Sequence, residues 1–164
     1  MAKTIGFSGG NLMAELGSAN EMASFYFCVH VHAGRMGPPE RLALVSDRLF
    51  KRYVAYEDLP MAVEAMAAVR TVFSQVPAST IDWADRGVDG KGRLDISRAT
   101  LGEVYATYFD KFAACATSSA SLFEKYQARV PVATVVTDLP EFFAYKDRPR
   151  EVLDALSGEP FWYR

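Results

Sequence analysis

The stretch Ser24-Phe-Tyr-Phe-Cys-Val-His-Val-His-Ala33 has the clearest pattern in the chain. Apolar side chains alternate there with side chains that carry a polar or sulfur atom: Phe25, Phe27, Val29 and Val31 against Tyr26, Cys28, His30 and His32. Because successive side chains of a strand point to opposite faces, this alternation predicts a β-strand over 24–33. The glycines and prolines in 34–39 end that strand.

The rest of the sequence predicts helices and short strands around this segment. A β-branched run predicts a strand over 132–137, and residues 3–8 predict a short first strand before a turn at Gly9-Gly10-Asn11. Apolar residues at steps of three or four predict helices in the following regions: 39–53, the segment after Asp58, 101–126 and 148–157, with one or two further helical turns over 12–20.

These elements predict an α+β fold in a single globular domain over residues 1–164. The expected architecture is helix-rich, with a small sheet packed against several helices. Residues near 25–32 and 132–137 are expected to build that sheet. The aromatic tail at 161–163 is expected to pack on the body of the protein.

Composition narrows the functional classes. Half of the 164 residues are hydrophobic, which is enough for a substantial core, and the net charge of −2 gives no strong attraction to nucleic acid. We therefore expect no nucleic-acid partner. We also expect no membrane partner, since the longest apolar run is far shorter than the roughly 20 residues needed to span a bilayer. Two cysteines cannot form a disulfide framework, which favours a reducing, cytoplasmic location.

The sequence contains few residues or motifs that could support catalysis. Gly9-Gly10 lacks the further glycines of a phosphate loop, and the Asp89–Asp95 segment lacks the oxygen ligands of a calcium loop. We therefore predict that the protein is not an enzyme and binds no cofactor.

The alternative hypothesis is a small metal-binding domain or metalloenzyme centred on His30 and His32. On a strand, Cys28, His30 and His32 would share one face, and His30 and His32 would lie about 6.6 Å apart. Two imidazoles so placed could bind a metal with an acidic third ligand, and Cys28 and His30 could form a nucleophile–base pair. The competing interpretation is a polar sheet face under helices.

Acidic and aromatic residues are interleaved in a long predicted loop over 77–97 and in the C-terminal third. Aromatic side chains supply contact area and carboxylates attract a basic partner, so these segments predict a protein-binding surface. The alternative is a solvated face over a buried aromatic core. The predicted partner-binding residues are Asp82, Trp83, Asp85, Asp89, Asp138, Glu141, Tyr145 and Asp147.

Three segments resemble the immunity proteins of bacterial contact-dependent and polymorphic toxin systems. They are Val76-Pro-Ala-Ser-Thr-Ile-Asp-Trp83, Val135-Val-Thr-Asp-Leu-Pro140 and Gly158-Glu-Pro-Phe-Trp-Tyr-Arg164. The resemblance implies a cytoplasmic protein that binds a cognate protein toxin, such as a nuclease, and occludes its active site or an essential surface. It assigns no role to any single residue.

Overall fold

The computed structural model describes residues 3–34, 38–137 and 162. Four antiparallel strands form one sheet in the order β2-β1-β4-β3. The strands are β1 (Ile5–Gly9), β2 (Leu12–Gly17), β3 (Tyr53–Val54) and β4 (Val132–Val136). Helices α1 (Ala19–Ala33) and α5 (Ala106–Tyr126) pack on the sheet, and α2 (Pro39–Ala43), α3 (Leu59–Phe73) and α4 (Leu101–Val104) pack against the other helices. The predicted α+β class is therefore confirmed.

Helix α1 corrects the strand predicted over 24–33. Its N-terminus is a capping box, in which the Ser18 hydroxyl accepts from the Glu21 backbone N–H at 3.1 Å and the Glu21 carboxylate accepts from the Ser18 N–H at 3.0 Å. The buried apolar residues recur at helical spacing rather than at every second position: Met22, Phe25, Tyr26, Val29 and Ala33. The sheet accordingly contains β4, as predicted, but not residues 25–32.

The hairpin of β1 and β2 confirms one prediction and corrects another. Strand β1 and the following turn lie where expected, and Gly10 adopts a positive φ of 55°, which suits a two-residue hairpin turn. The helical turns predicted over 12–20 are wrong, because residues 12–17 form β2. There the buried Ala14 and Leu16 alternate with the exposed Met13 and Glu15, as side chains of a strand do.

The other helices follow the predicted pattern with local changes. The helix predicted over 39–53 consists of α2, a π-helical segment at Leu44–Leu49 and a final turn before β3. Helix α3 begins after Asp58, as expected, and Pro60 lies in its first turn. The helix predicted over 101–126 is divided at Tyr105 into α4 and α5, and the Thr100 hydroxyl accepts from the Glu103 N–H at the start of α4.

An aromatic core joins these helices. The Phe25 ring lies 5.2 Å from the Tyr105 ring and 5.6 Å from the Phe109 ring, centroid to centroid. Trp162 is fully buried, and its indole N–H donates to the Phe50 carbonyl at 2.8 Å, so the expectation that the tail packs on the body is confirmed at this residue. The helix predicted over 148–157 lies outside the described residues. Among the helices of the described ranges, none has the length and apolar character to cross a membrane.

Candidate functional site

Helix α1 separates the residues on which the metal hypothesis depended. Residues two apart on a helix point about 160° from one another, so His30 lies on the face opposite Cys28 and His32, which are four residues apart and share a face. Cys28 is fully buried, whereas His30 is exposed. Burial raises the pKa of the Cys28 thiol to about 11, which keeps it protonated at neutral pH. Within the described part of the chain, no group of three His, Cys, Asp or Glu side chains is placed to hold a metal ion.

The predicted loop over 77–97 is held firmly against the body, and we call it the anchored loop. Glu21, only 5% exposed, accepts a hydrogen bond from the Leu94 backbone N–H at 2.7 Å. Val88 and Leu94 are buried, so the loop contributes side chains to the core. The Trp83 indole N–H donates to the Ala78 carbonyl at 3.1 Å. These contacts join a long and mostly irregular segment, with a 3₁₀ turn at Ala78–Thr80, to the body of the protein.

The aspartates of the anchored loop are exposed, but their side chains already form hydrogen bonds or ion pairs within the loop. Asp82 accepts from the Asp85 backbone N–H at 3.2 Å, and Asp89 accepts from the Lys91 N–H at 2.9 Å. Such bonds from a side chain to the backbone two or three residues on are typical of Asx turns. Asp85 pairs with Arg86. The loop contains four aspartates and three basic residues, so its net charge is only −1.

The eight predicted partner-binding residues divide into two groups. The structure places four of them in the anchored loop: Asp82, Trp83, Asp85 and Asp89. Trp83 is half-buried, and its ring lies 6.2 Å from the ring of Tyr105. The other four lie outside the described residues: Asp138, Glu141, Tyr145 and Asp147. Their predicted role stays a prediction.

A groove lies between α3 and α5. Its main part has a volume of about 580 Å³, and a smaller recess of about 120 Å³ adjoins it, sharing Val63 and Ala113. We call the two together the α3–α5 groove. One wall comes from α3 and the other from α5, with apolar lining residues that include Leu59, Pro60, Val63, Ala113, Ala116 and Ala120.

The sequence of α5 explains why the groove exists. Ala113, Ala116 and Ala120 follow one another at steps of three and four, which places them on one face of the helix. Their small side chains leave space against the larger side chains of α3. At 38% exposure, Val63 presents apolar surface to that space.

Polar and aromatic contacts define the two ends of the groove. At one end the Tyr56 ring stacks on the Phe123 ring, with 4.9 Å between centroids. At the other end Arg70 of α3 pairs with Asp110 of α5 at 2.7 Å. Both contacts join the two walls, and they leave between them a trough of limited length.

Among the described residues, the charged groups that line the main part of the groove are two carboxylates. Glu57 pairs with Arg129 at 3.1 Å, and Glu64 pairs with Arg41 at 3.3 Å. All four side chains are more than 40% exposed, so each pair contributes little to stability and can exchange partners.

The geometry of the α3–α5 groove suits a bound polypeptide. An apolar trough between two packed helices accepts the apolar face of a further helix. Sequence reasoning missed this site, although the spacing of Ala113, Ala116 and Ala120 was a visible signal. The sequence alone does not show that α3 lies opposite the alanine face of α5.

Comparisons with known proteins give no information about the function, so the function is inferred from this geometry. Neither the family models, nor the curated proteins, nor the solved structures contain a match to the chain.

Proposed function

We propose that this chain is an immunity protein, which binds a cognate bacterial toxin and neutralises it by covering the toxin's active site or an essential surface. The observation that carries the proposal is the α3–α5 groove, an apolar trough whose helical walls are already formed. The resemblance of three sequence segments to immunity proteins supports the same class.

Preformed walls favour tight binding of a toxin. Both helices are packed into the core through buried residues such as Met66 and Phe112, so little conformational freedom is lost when a partner enters. A stable complex covers about 800 Å² on each partner, which is more than the groove alone provides. The toxin therefore covers surface around the groove as well.

The anchored loop supplies a second surface for the same partner. Asp82, Asp85 and Asp89 are exposed on a segment that the Glu21 carboxylate holds in place. Exposed charges of this kind change the rate of association more than the affinity. In the proposed complex these exposed aspartates contact basic side chains of the toxin locally, and the groove provides most of the binding free energy.

Co-expression in a bacterial host tests the proposal. The proposal predicts that a secreted protein with a toxic domain is encoded beside this chain, and that domain is expressed alone, with the chain, and with an Ala113→Glu variant. Ala113 is exposed in the groove, and Glu there places a charge on its apolar floor. Ser121→Glu is the matched control, because Ser121 is equally an exposed residue of α5 but does not line the groove.

The expected result is growth with the wild-type chain and with Ser121→Glu, and growth arrest with Ala113→Glu. Thermal unfolding of the two purified variants establishes that both are folded. The proposal fails if the wild-type chain gives no protection, or if the purified toxic domain and chain form no complex.

A further inference from the structure

We infer that the occupant of the α3–α5 groove is an amphipathic helix of about three turns with lysine or arginine beside its apolar face. The inference rests on the proposed function, since that helix would belong to the toxin. The groove has a defined length, one small-residue wall and one acidic wall, and each of these features restricts what can bind.

The length of the groove sets the size of the occupant. Along α3 the groove runs from Leu59 to Arg70, which is about 16 Å at 1.5 Å per residue, or three helical turns. The Tyr56–Phe123 stack and the Arg70–Asp110 ion pair close its ends. A short helix with apolar anchors at positions i, i+3 or i+4, and i+7 fills a trough of this length.

The small-residue wall favours a helix over an isolated side chain. The distance between packed helices is 8–10 Å and depends on the size of the side chains at the contact. Ala113, Ala116 and Ala120 let a partner backbone approach α5 at the short end of that range. The larger apolar side chains then have to come from the occupant, which fits leucine-sized anchors.

The charges of the main groove lie on one wall. Glu57 and Glu64 line it from the α3 side, whereas the lining residues of α5 are neutral. Glu57 lies in the 3₁₀ turn Tyr56–Asp58 just before α3 and Glu64 lies in α3, so the two carboxylates are about two helical turns apart. Basic residues seven positions apart on the flank of the occupant, beside its apolar anchors, can therefore meet both carboxylates and replace Arg129 and Arg41 as their partners. An acidic occupant would face like charges there.

Selection from a display library of random helical peptides, about 14 residues long, tests the inference. The library is selected on the purified wild-type chain and counter-selected on Ala113→Glu, so that retained peptides need the groove. We expect these peptides to carry apolar residues at i, i+3 or i+4, and i+7, with an excess of Lys and Arg over Asp and Glu on the flank. A selected peptide should bind Glu57→Lys/Glu64→Lys at least about tenfold more weakly, by fluorescence polarisation.

Several outcomes would overturn the inference. They are the absence of groove-dependent peptides, peptides with no charge preference, and unchanged affinity for Glu57→Lys/Glu64→Lys. So would a wild-type chain that sediments as a dimer and an Ala113→Glu variant that sediments as a monomer, because a second copy would then fill the groove. Toxin neutralisation that survives Glu57→Lys/Glu64→Lys but not Ala113→Glu would refute the basic helix and leave the proposed function intact.

Discussion

The anchored loop and the α3–α5 groove differ in how their surface groups are satisfied. The loop is conspicuous in the sequence, yet its aspartates accept hydrogen bonds from their own backbone or pair with a neighbouring arginine. The groove is inconspicuous in the sequence, but its alanines and Val63 leave apolar surface uncovered. Polar groups that are already hydrogen-bonded or ion-paired thus need no partner, whereas burial of exposed apolar surface by a partner is favourable.

The largest expected effect concerns the anchor of the loop. Glu21→Ala removes the acceptor for the buried Leu94 N–H and for the Ser18 N–H. We expect the free energy of unfolding to fall by about 3 kcal/mol in urea denaturation, because a buried donor left unsatisfied costs 1–3 kcal/mol. Glu103→Ala, at an exposed position in α4, is the control and should change stability by less than about 0.5 kcal/mol. Equal stability of the two variants would contradict the anchoring role of Glu21.

The next effect is on binding through the groove. Val63→Asp introduces a charge into the apolar lining and should weaken affinity for the toxin about 30-fold, or about 2 kcal/mol, in isothermal titration calorimetry. Val31→Asp is the control, since Val31 is 54% exposed on α1 and does not line the groove. If the two substitutions weaken binding equally, the groove has no special role.

We expect a smaller effect, a loss of stability, at alkaline pH. It compares a buried cysteine in α1, beside the anchored loop, with a buried cysteine in α5, which forms one wall of the groove. Burial raises the pKa of Cys28 in α1 from 9.0 to about 11 and that of Cys115 in α5 from 9.0 to about 12. Because the folded pKa values are the higher ones, the stabilisation is complete below pH 9 and is lost as pH rises toward the folded values.

Urea denaturation at pH 8, 9 and 10 measures this loss of stability. We expect the free energy of unfolding of the wild-type chain to fall above pH 9, and the fall to be smaller, by a similar amount, in Cys28→Ala and in Cys115→Ala. Burial also raises the pKa of Tyr105 and Tyr108, so some decline near pH 10 should remain in both variants. Identical pH dependence in all three proteins would show that neither thiol is buried as described.

The smallest expected effect is that of the loop charges on affinity. Asp82→Asn/Asp85→Asn/Asp89→Asn keeps the side-chain oxygens that accept backbone hydrogen bonds but removes three negative charges. We expect slower association with the toxin at low salt and a dissociation constant within about threefold of the wild-type value. Surface plasmon resonance at two salt concentrations separates the rates. A loss of affinity greater than about tenfold would assign the main contact to the anchored loop.

Local signals in the sequence predicted much of the fold. The β-branched run at 132–137 forms β4, and the helix predicted after Asp58 forms α3. The α1 prediction was wrong because Phe25, Phe27, Val29 and Val31 alternate like a strand, even though a helical period and a Ser18–Glu21 capping box lie in the same segment. Tertiary packing decided between two patterns that the sequence carries together.

The candidate site depended on contacts that no local pattern specifies. The α3–α5 groove combines Val63 with Ala113, which are fifty residues apart in the chain, and the Glu21–Leu94 hydrogen bond joins residues seventy-three apart. The alanine spacing on α5 could indicate a close helix contact but not that the space opposite it would stay partly open.

Amide hydrogen exchange of the chain, measured with and without the purified toxin, most directly tests which surface the partner covers. We expect the toxin to slow exchange in α3 and α5 and to change the exchange of residues 82–95 much less. Protection confined to residues 82–95, with α3 and α5 unaffected, would contradict the assignment of the groove as the binding site.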